Sequence, residues 1–504
     1  MINILEKIDE WAVKTPQAIC FQDQEQAYTF LELKEQSDTL AHYLDEHYQN
    51  KLPVIVYGGL DFRMLVAFLA ATKSGHAYIP LDVDTPEDRI EMITQVADFT
   101  AVIAFSDWPN IVIAEPIVTE SLFDELTKTP KSYQLTHEVK EEENFYIIFT
   151  SGTTGVPKGV QISHNNLASY TDWMLADFNL KEEATYLSQA PYSFDLSVMN
   201  LYPSLLTGGK LVPLSKAMVQ DFQALFENLP KMKLNVWVST PSFVDICLME
   251  PRFNGEVLSD LQTFLFCGEE LTVQTAQALL ERFPTADIYN TYGPTETTVA
   301  VTEIKITSEV LAKYDRLPVG YAKEDTTLYI VDEKGQVLSE GESGEIVIAG
   351  PSVSKGYLNN PEKTAQAFLE IEGQPAYKTG DQGMMKEHLL FYQGRIDFQV
   401  KLHGYRIELE DIDHHLMNVS YVSKGIVVPK YHQHKVVQLI AFVVPKDREI
   451  FAKDYQLTKA IKAELKEVVM DYMVPQKFVY VDSLPQTFNG KIDRKSLIHE
   501  VNAT

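Results

Sequence analysis

A chain of 504 residues with 45% hydrophobic side chains is too long for one compact core and is expected to divide into two or more domains. Its net charge of -28 disfavours nucleic acid and anionic membrane surfaces as partners. Three widely spaced cysteines, Cys20, Cys247 and Cys267, fit a reducing compartment and offer neither a disulfide framework nor a zinc-ligand spacing.

The first residues, Met1 to Lys7, are charged early and lack an apolar signal region. The best later apolar run, Met64 to Ala71, is too short to cross a bilayer, so a cytoplasmic protein without stable membrane insertion is expected. Short apolar runs then alternate with segments of helical period. Val54-Ile55-Val56-Tyr57 precedes a helix-like Asp61 to Ala71, and Thr100 to Phe105 follows. Val236-Trp237-Val238 and Thr263-Phe264-Leu265-Phe266 come before a helical stretch from Thr272 to Phe283. This alternation predicts crossover units and parallel-type sheets with helices.

From about Leu328 the pattern changes to alternating strands with turn signals at Glu333-Lys334-Gly335 and Glu340-Gly341-Glu342, which predicts an antiparallel, barrel-like subdomain. After Gly394-Arg395-Ile396-Asp397 a small α+β segment is expected. It has a hairpin through His403-Gly404, a helix from Glu410, strands Ile426 to Val428 and Leu439 to Val444, and a helix from Thr458 to Val469. The predicted architecture is therefore α/β, with a large N-terminal domain, 1–397, and a small mobile C-terminal α+β domain, 398–504. Charge follows the same division, with 15 Lys and Arg against 13 Asp and Glu from Phe398 onward and 28 against 58 before it. An acidic partner is steered toward the tail rather than the body, unless the balance is only that of a solvated surface.

The segment Thr150-Ser151-Gly152-Thr153-Thr154-Gly155-Val156-Pro157-Lys158-Gly159 follows the apolar Tyr146-Ile147-Ile148-Phe149. Glycines let backbone N–H groups converge on an anion, and the hydroxyls and ammonium add donors, so the segment reads as a polyphosphate cradle. The spacing is not that of a Walker loop. By composition alone a surface loop is an equal reading.

Five further motifs follow in order: Tyr192-Ser193-Phe194-Asp195, Asn290-Thr291-Tyr292-Gly293-Pro294-Thr295-Glu296, Tyr377-Lys378-Thr379-Gly380-Asp381, Gly394-Arg395-Ile396-Asp397 and Asn489-Gly490-Lys491-Ile492-Asp493-Arg494. With the loop they resemble the core motifs of the adenylate-forming superfamily, which includes nonribosomal peptide synthetase adenylation domains, acyl-CoA synthetases and luciferases. The resemblance covers nearly the whole chain. Within the superfamily the chain is most similar to the D-alanine:D-alanyl carrier protein ligases, notably in Gln189 to Met199, Thr263 to Glu269 and Lys401 to Arg406.

The resemblance implies ATP-dependent activation of D-alanine to D-alanyl-AMP and transfer to the phosphopantetheine thiol of a separate carrier protein, for D-alanylation of teichoic acids. It nominates Lys491 as the catalytic residue, reaching both the substrate carboxylate and the nucleotide. ATP is expected at Thr150, Ser151, Asn290, Thr291, Tyr292, Gly293, Pro294, Thr295, Asp381, Tyr392, Gln393, Gly394, Arg395 and Lys491. Asp381 accepts from the ribose hydroxyls, Tyr292 faces adenine, and Glu296 is the expected ligand for Mg2+. D-alanine is expected at Asp195, Cys267, Val299 and Lys491, with Met199, Leu265 and Thr291 completing the side-chain pocket. Cys267 would crowd the methyl of one stereoisomer, an effect of about 1 to 3 kcal/mol. Asp397 is the expected hinge, and Gly404 belongs beside a tunnel for the thiol arm. A monomer is expected.

Read from the residues alone, the alternatives stay open. Lys491 after Asn-Gly is a turn residue, Asp381 a turn former, Glu296 a surface acid and Asp195 a helix N-cap. Cys267 is an ordinary buried cysteine, and Gly404 a hairpin glycine. At the level of function the alternatives are a stand-alone adenylation enzyme for another small amino acid in nonribosomal peptide synthesis, a luciferase-like oxidoreductase, and a nucleotide-binding regulator without catalysis.

Overall fold

Strand Val54–Gly58 is buried at every position, because it lies inside a parallel sheet covered on both faces, where a continuous apolar run replaces alternation. The computed structural model describes residues 2–24, 26–152, 155–432, 434–447, 450–451, 453–486 and 492–503. The sheet runs in the order Ile117–Thr119, Ala101–Ala104, Val54–Gly58, Tyr78–Asp82, Asn144–Thr150, Lys158–Ser163, with only the last strand antiparallel.

The predicted helix after Val54–Gly58 is Phe62–Lys73, and Asp61 caps it by accepting from the Arg63 N–H at 2.8 Å. Apart from Arg63 the helix is buried all round, which explains its uninterrupted apolar sequence. Its last residue, Lys73, has no exposed side-chain surface. The ammonium is held by Asp9 at 2.8 Å and Asp38 at 2.7 Å, so the charge is paired.

A second, nine-stranded sheet carries parallel strands Thr185–Ser188, Val236–Ser239, Thr263–Phe266 and Asp287–Tyr292 side by side. Their register aligns Ser239 with Phe266 and Phe266 with Asn290, so Thr240, Cys267 and Thr291 follow at one level. Ligand sites in open parallel sheets lie beyond the carboxyl ends of the strands. In both large sheets those ends point to the motif residues.

The antiparallel region predicted from Leu328 is a five-stranded sheet of Thr327–Val331, Ser343–Ala349, Gln374–Lys386, Phe368–Ile371 and Leu389–Arg395. Beyond it, hairpin Gln399–Leu402 and Tyr405–Glu408 turns at His403 and Gly404, both with positive φ. Helix Leu409–Asn418, strands Val422–His432, Lys435–Pro445 and Lys477–Tyr480, and helices Asp454–Val468 and Arg494–Asn502 complete the small α+β part. Among the described residues its apolar cluster, from Val400 to Val474, shares no member with the clusters of the preceding chain. No helix among the described residues is long and apolar enough to cross a membrane.

Candidate active site

A cavity of about 280 Å³ lies where the small part meets the carboxyl ends of the large sheets. Asp195, Cys267, Gly293, Pro294, Thr295, Val299, Asp381, Arg395 and Gly404 all line it. Motifs up to 209 positions apart in sequence thus share one space, from Asp195 to Gly404.

At one end Asp195 opens the short turn Asp195–Ser197, which leads into helix Val198–Leu206. The helix is preceded by Ser197 without a side-chain cap bond, and the turn by Phe194, so Asp195 is not the N-cap that its position suggests. Its carboxylate instead faces the cavity. Burial raises its pKa, with the Thr295 hydroxyl and then the charges of Lys401 and Arg406 acting in the opposite direction, so a further cation arriving here would stabilise the carboxylate.

Opposite stand Cys267 and Val299. The Cys267 Sγ is buried 3.6 Å from the Val299 carbonyl oxygen. Val299 and Thr298 both have positive φ, 69° and 59°, a backbone that β-branched residues rarely adopt. Thr298 is held there by its hydroxyl donating to the Ser352 carbonyl at 2.8 Å. The returning chain passes so close to Gly293 that a Cβ there would meet Ala300 Cα at 2.6 Å, which requires the glycine. Met199 and Leu265 stand behind Cys267 and Val299 in the same buried cluster. The Thr291 hydroxyl donates to the Phe266 carbonyl at 2.8 Å and ties two strand ends together.

At the other end, Asp381 and Arg395 are register partners in the antiparallel sheet. Arg395 Nη1 donates to Asp381 Oδ1 at 3.0 Å and to the Thr379 carbonyl at 2.7 Å, while its Nε donates to Asp397 Oδ1 at 2.8 Å. The Tyr292 hydroxyl donates to Asp381 Oδ2. Each carboxylate oxygen has two lone pairs, so Asp381 can still accept from a diol. The rings of Tyr292 and Tyr392 lie 5.9 Å apart and line an adjoining recess with Asn290 and Thr291. The Asn290 amide is engaged with the Pro318 carbonyl at 2.9 Å, so it fixes the wall of that recess. Gln393 is exposed and Gly394 half-buried at the end of the same sheet.

Thr150 and Ser151 line a third recess that also opens on Asp195, Thr295, Gly404 and Arg406. Thr150 Oγ1 is buried without a protein hydrogen-bond partner, as suits a donor awaiting an anion. Thr153, Thr154 and the predicted catalytic Lys491 lie outside the described residues.

The hairpin through Gly404 is seated in the cavity, its tip against Thr240 and Gly268. Behind the tip, Tyr405 stacks on Tyr472 with ring centres 3.8 Å apart and meets Phe194 edge-on at 4.8 Å. Arg406 Nη1 donates to Glu296 Oε2 at 2.7 Å, and the Tyr357 hydroxyl donates to Glu296 Oε1 at 2.8 Å. Burial would raise the Glu296 carboxyl, but Arg406 and then Lys158 outweigh it and hold the pKa at about 2. Arg406, Tyr357 and Tyr472 are site residues that sequence reasoning gave no role, and Lys158, read as a donor of the phosphate cradle, stands in this structure 3.9 Å from Glu408. Arg406 stood in a motif already singled out, and its mate is 110 positions away.

A model of the AMP-binding enzyme family matches residues 8–358, and one of the AMP-binding enzyme C-terminal domain matches residues 411–491. A D-alanine–D-alanyl carrier protein ligase of Lactiplantibacillus plantarum is 55% identical over 504 residues, covering 99% of each chain. One of Listeria monocytogenes is 51% identical over 510 residues, also covering 99% of each. Among solved structures, a Vibrio cholerae adenylation domain in complex with glycyl-adenosine-5'-phosphate superposes with a TM-score of 0.80 at 24% identity, covering 100% of this chain and 99% of that one. An NRPS protein containing adenylation and PCP domains superposes with a TM-score of 0.81 at 26% identity, covering 99% and 84%.

Proposed function

Because this chain belongs to the AMP-binding enzyme family, we propose that its cavity activates D-alanine with ATP and passes it to the phosphopantetheine thiol of a separate D-alanyl carrier protein. A carboxylate does not accept a thiol at neutral pH, so two steps are needed. First a carboxylate oxygen of D-alanine bonds to the α-phosphorus, the bond from that phosphorus to the bridging oxygen breaks, and pyrophosphate leaves. Then the thiol sulfur bonds to the acyl carbon, AMP leaves with the shared oxygen, and the thiol proton passes to solvent.

The observation that carries this reading is one cavity lined by a buried carboxylate, Asp195, by the cramped apolar wall of Cys267 and Val299, and by a diol acceptor, Asp381. Asp195 pairs with the α-ammonium, which a fatty acid lacks. Cys267 and Val299 leave room for a methyl group. Asp381, oriented by Arg395 and Tyr292, takes the ribose hydroxyls. Thr150, Ser151 and Thr295 offer donors to phosphate, where transition-state charge develops. Lys491 supplies the cation for adenylate formation, and the small domain then turns about Asp397 to exchange it for the hairpin seen here. Mg2+ carried in with ATP would supply screening of the phosphate charge. In the present arrangement both oxygens of Glu296 are engaged by protein donors, so Glu296 does not fit a metal here. The enzyme acts in the cytoplasm as a monomer and supplies D-alanine for teichoic acids.

ATP–pyrophosphate exchange across D-alanine, L-alanine and glycine tests the substrate. D-alanine is expected to exchange fastest, and Cys267→Ala to narrow its lead over L-alanine by about tenfold. Fastest exchange with glycine or an L-amino acid would replace D-alanine by another small amino acid and favour a peptide-synthesis role.

A further inference from the structure

A cation buried without a mate costs free energy, and the fold otherwise avoids it. Among the described residues the buried lysines and arginines are Lys73, Arg89, Lys323 and Arg494. Lys73 meets Asp9 and Asp38, Lys323 meets Asp325, and Arg494 meets Asp413. Arg89, only 7% exposed, has neither an ion pair nor a side-chain hydrogen bond among the described residues.

Arg89 lies on helix Glu87–Val96, where Glu87 and Asp88 are exposed and Arg89 and Ile90 turn inward. The helix follows strand Tyr78–Asp82, which runs parallel to Asn144–Thr150 with Tyr78 level with Tyr146. Both strands therefore end on the same side, and Arg89 and Thr150 line one recess of about 80 Å³. Thr150 Oγ1 is buried there without a protein partner. Gly404 and Tyr472 line the recess from the small part, and the charge of Arg89 reaches the Tyr472 hydroxyl. Two further charged residues belong to its lining: Arg406, engaged by Glu296, and Asp195, the proposed partner of the amino-acid ammonium. An unmated guanidinium and an unmated hydroxyl thus share a space too small for anything but a compact oxyanion.

We infer that this recess is a diphosphate site in which Arg89 holds the pyrophosphate that leaves ATP. The planar fork of a guanidinium takes two oxygens of one phosphate group, and the Thr150 hydroxyl donates to the next. The anion supplies the charge that Arg89 lacks. The sugar acceptor Asp381 lines the main cavity and not this recess, so AMP and pyrophosphate have separate anchors and bind together. The site is complete with hairpin 399–408 seated as it is here. The inference rests on the adenylation reading for the source of the diphosphate; that the occupant is an anion rests on Arg89 and Thr150 alone.

The test titrates the full chain with sodium pyrophosphate, sodium phosphate and AMP by calorimetry, at constant ionic strength and without divalent metal. Pyrophosphate is expected to bind more tightly than phosphate, and to bind the AMP-saturated enzyme as well. Arg89→Met is expected to weaken pyrophosphate by at least about tenfold and AMP by less than about twofold. In ATP–pyrophosphate exchange the same variant should raise KM for pyrophosphate by about tenfold and leave KM for D-alanine within about twofold. Arg89→Lys keeps the charge without the fork, guards against a folding defect, and should fall between the two. Pyrophosphate affinity unchanged in Arg89→Met overturns the site, and so does an equal loss of AMP and pyrophosphate, which marks Arg89 as structural. Phosphate bound as tightly as pyrophosphate overturns the assignment to a diphosphate. Arg89-dependent pyrophosphate binding without any AMP binding would uphold the anion site and remove the adenylation reading that names its source.

Discussion

Gly404 rests directly on Thr240: a Cβ on the glycine would overlap Thr240 Cγ2, and the glycine's φ of +84° already favours a residue without one. Gly404→Ala therefore opposes seating of the hairpin by overlap and by about 1 to 2 kcal/mol of left-handed strain. Thiol transfer is expected to fall at least about tenfold while pyrophosphate exchange stays within about twofold. Adding Thr240→Ser removes the clashing methyl but not the strain, so it should restore transfer in part. Equal loss in both assays would mean that the hairpin serves both steps.

Lys491→Ala separates the steps in the opposite sense. Losing a cation aimed at developing phosphate charge costs about 10² to 10³ in rate, so pyrophosphate exchange should collapse. Transfer from supplied D-alanyl-AMP should remain near that of the unaltered enzyme, as the proposed exchange of the lysine for the hairpin requires. A single-turnover assay with synthetic adenylate checks this.

Asp381→Asn removes the charge that receives both Arg395 and Tyr292. Hydrogen bonds to charged groups contribute about 1.5 to 3 kcal/mol, so ATP binding should weaken by at least about tenfold. Tyr292→Phe leaves the carboxylate in place and should cost about fivefold. Calorimetric titration with ATP orders the two.

Glu303 is held up at about 7, first by burial and then by the Asp177 carboxylate. The protonated form is thus favoured in the folded chain, and the stability it contributes is lost as pH rises from the ordinary carboxylate value through about 7. Glu303→Gln should leave the thermal midpoint unchanged near pH 4.5 and raise it at pH 8, by less than the full shift implies because the group is partly solvated. Glu296 behaves in reverse. Depressed to about 2, it contributes above the ordinary value and loses that contribution as pH falls from about 4.5 toward 2.

The strands around Val54–Gly58, Val236–Ser239 and Thr263–Phe266 were legible because a buried parallel strand is a short apolar run, a local property. Helix Asp454–Val468 begins four residues before the predicted Thr458, since its N-cap position, Lys453, makes no side-chain cap bond and gave no start signal. Pairing of Ile19–Gln22 with Lys210–Pro213 was not legible, as nothing local encodes a partner so distant. At the site, Asp195, Cys267 and Asp381 were found through motifs, and the structure brings them to one cavity. The Arg406–Glu296 pair was hidden because its members lie 110 positions apart, one on hairpin 399–408 and one on the turn after strand Asp287–Tyr292, and nothing local encodes so distant a partner. Reading Asp195 as an N-cap failed for a different reason: a short turn intervenes before the helix.

Cys267 and Thr240 each stand one residue past the end of a different parallel strand. Their identities are therefore uncoupled from sheet hydrogen bonding, and exchanging them redraws the contour seen by a small molecule without disturbing the ladder beneath. Diversification toward other acids can proceed through such tips one at a time, each trial leaving a foldable scaffold behind it.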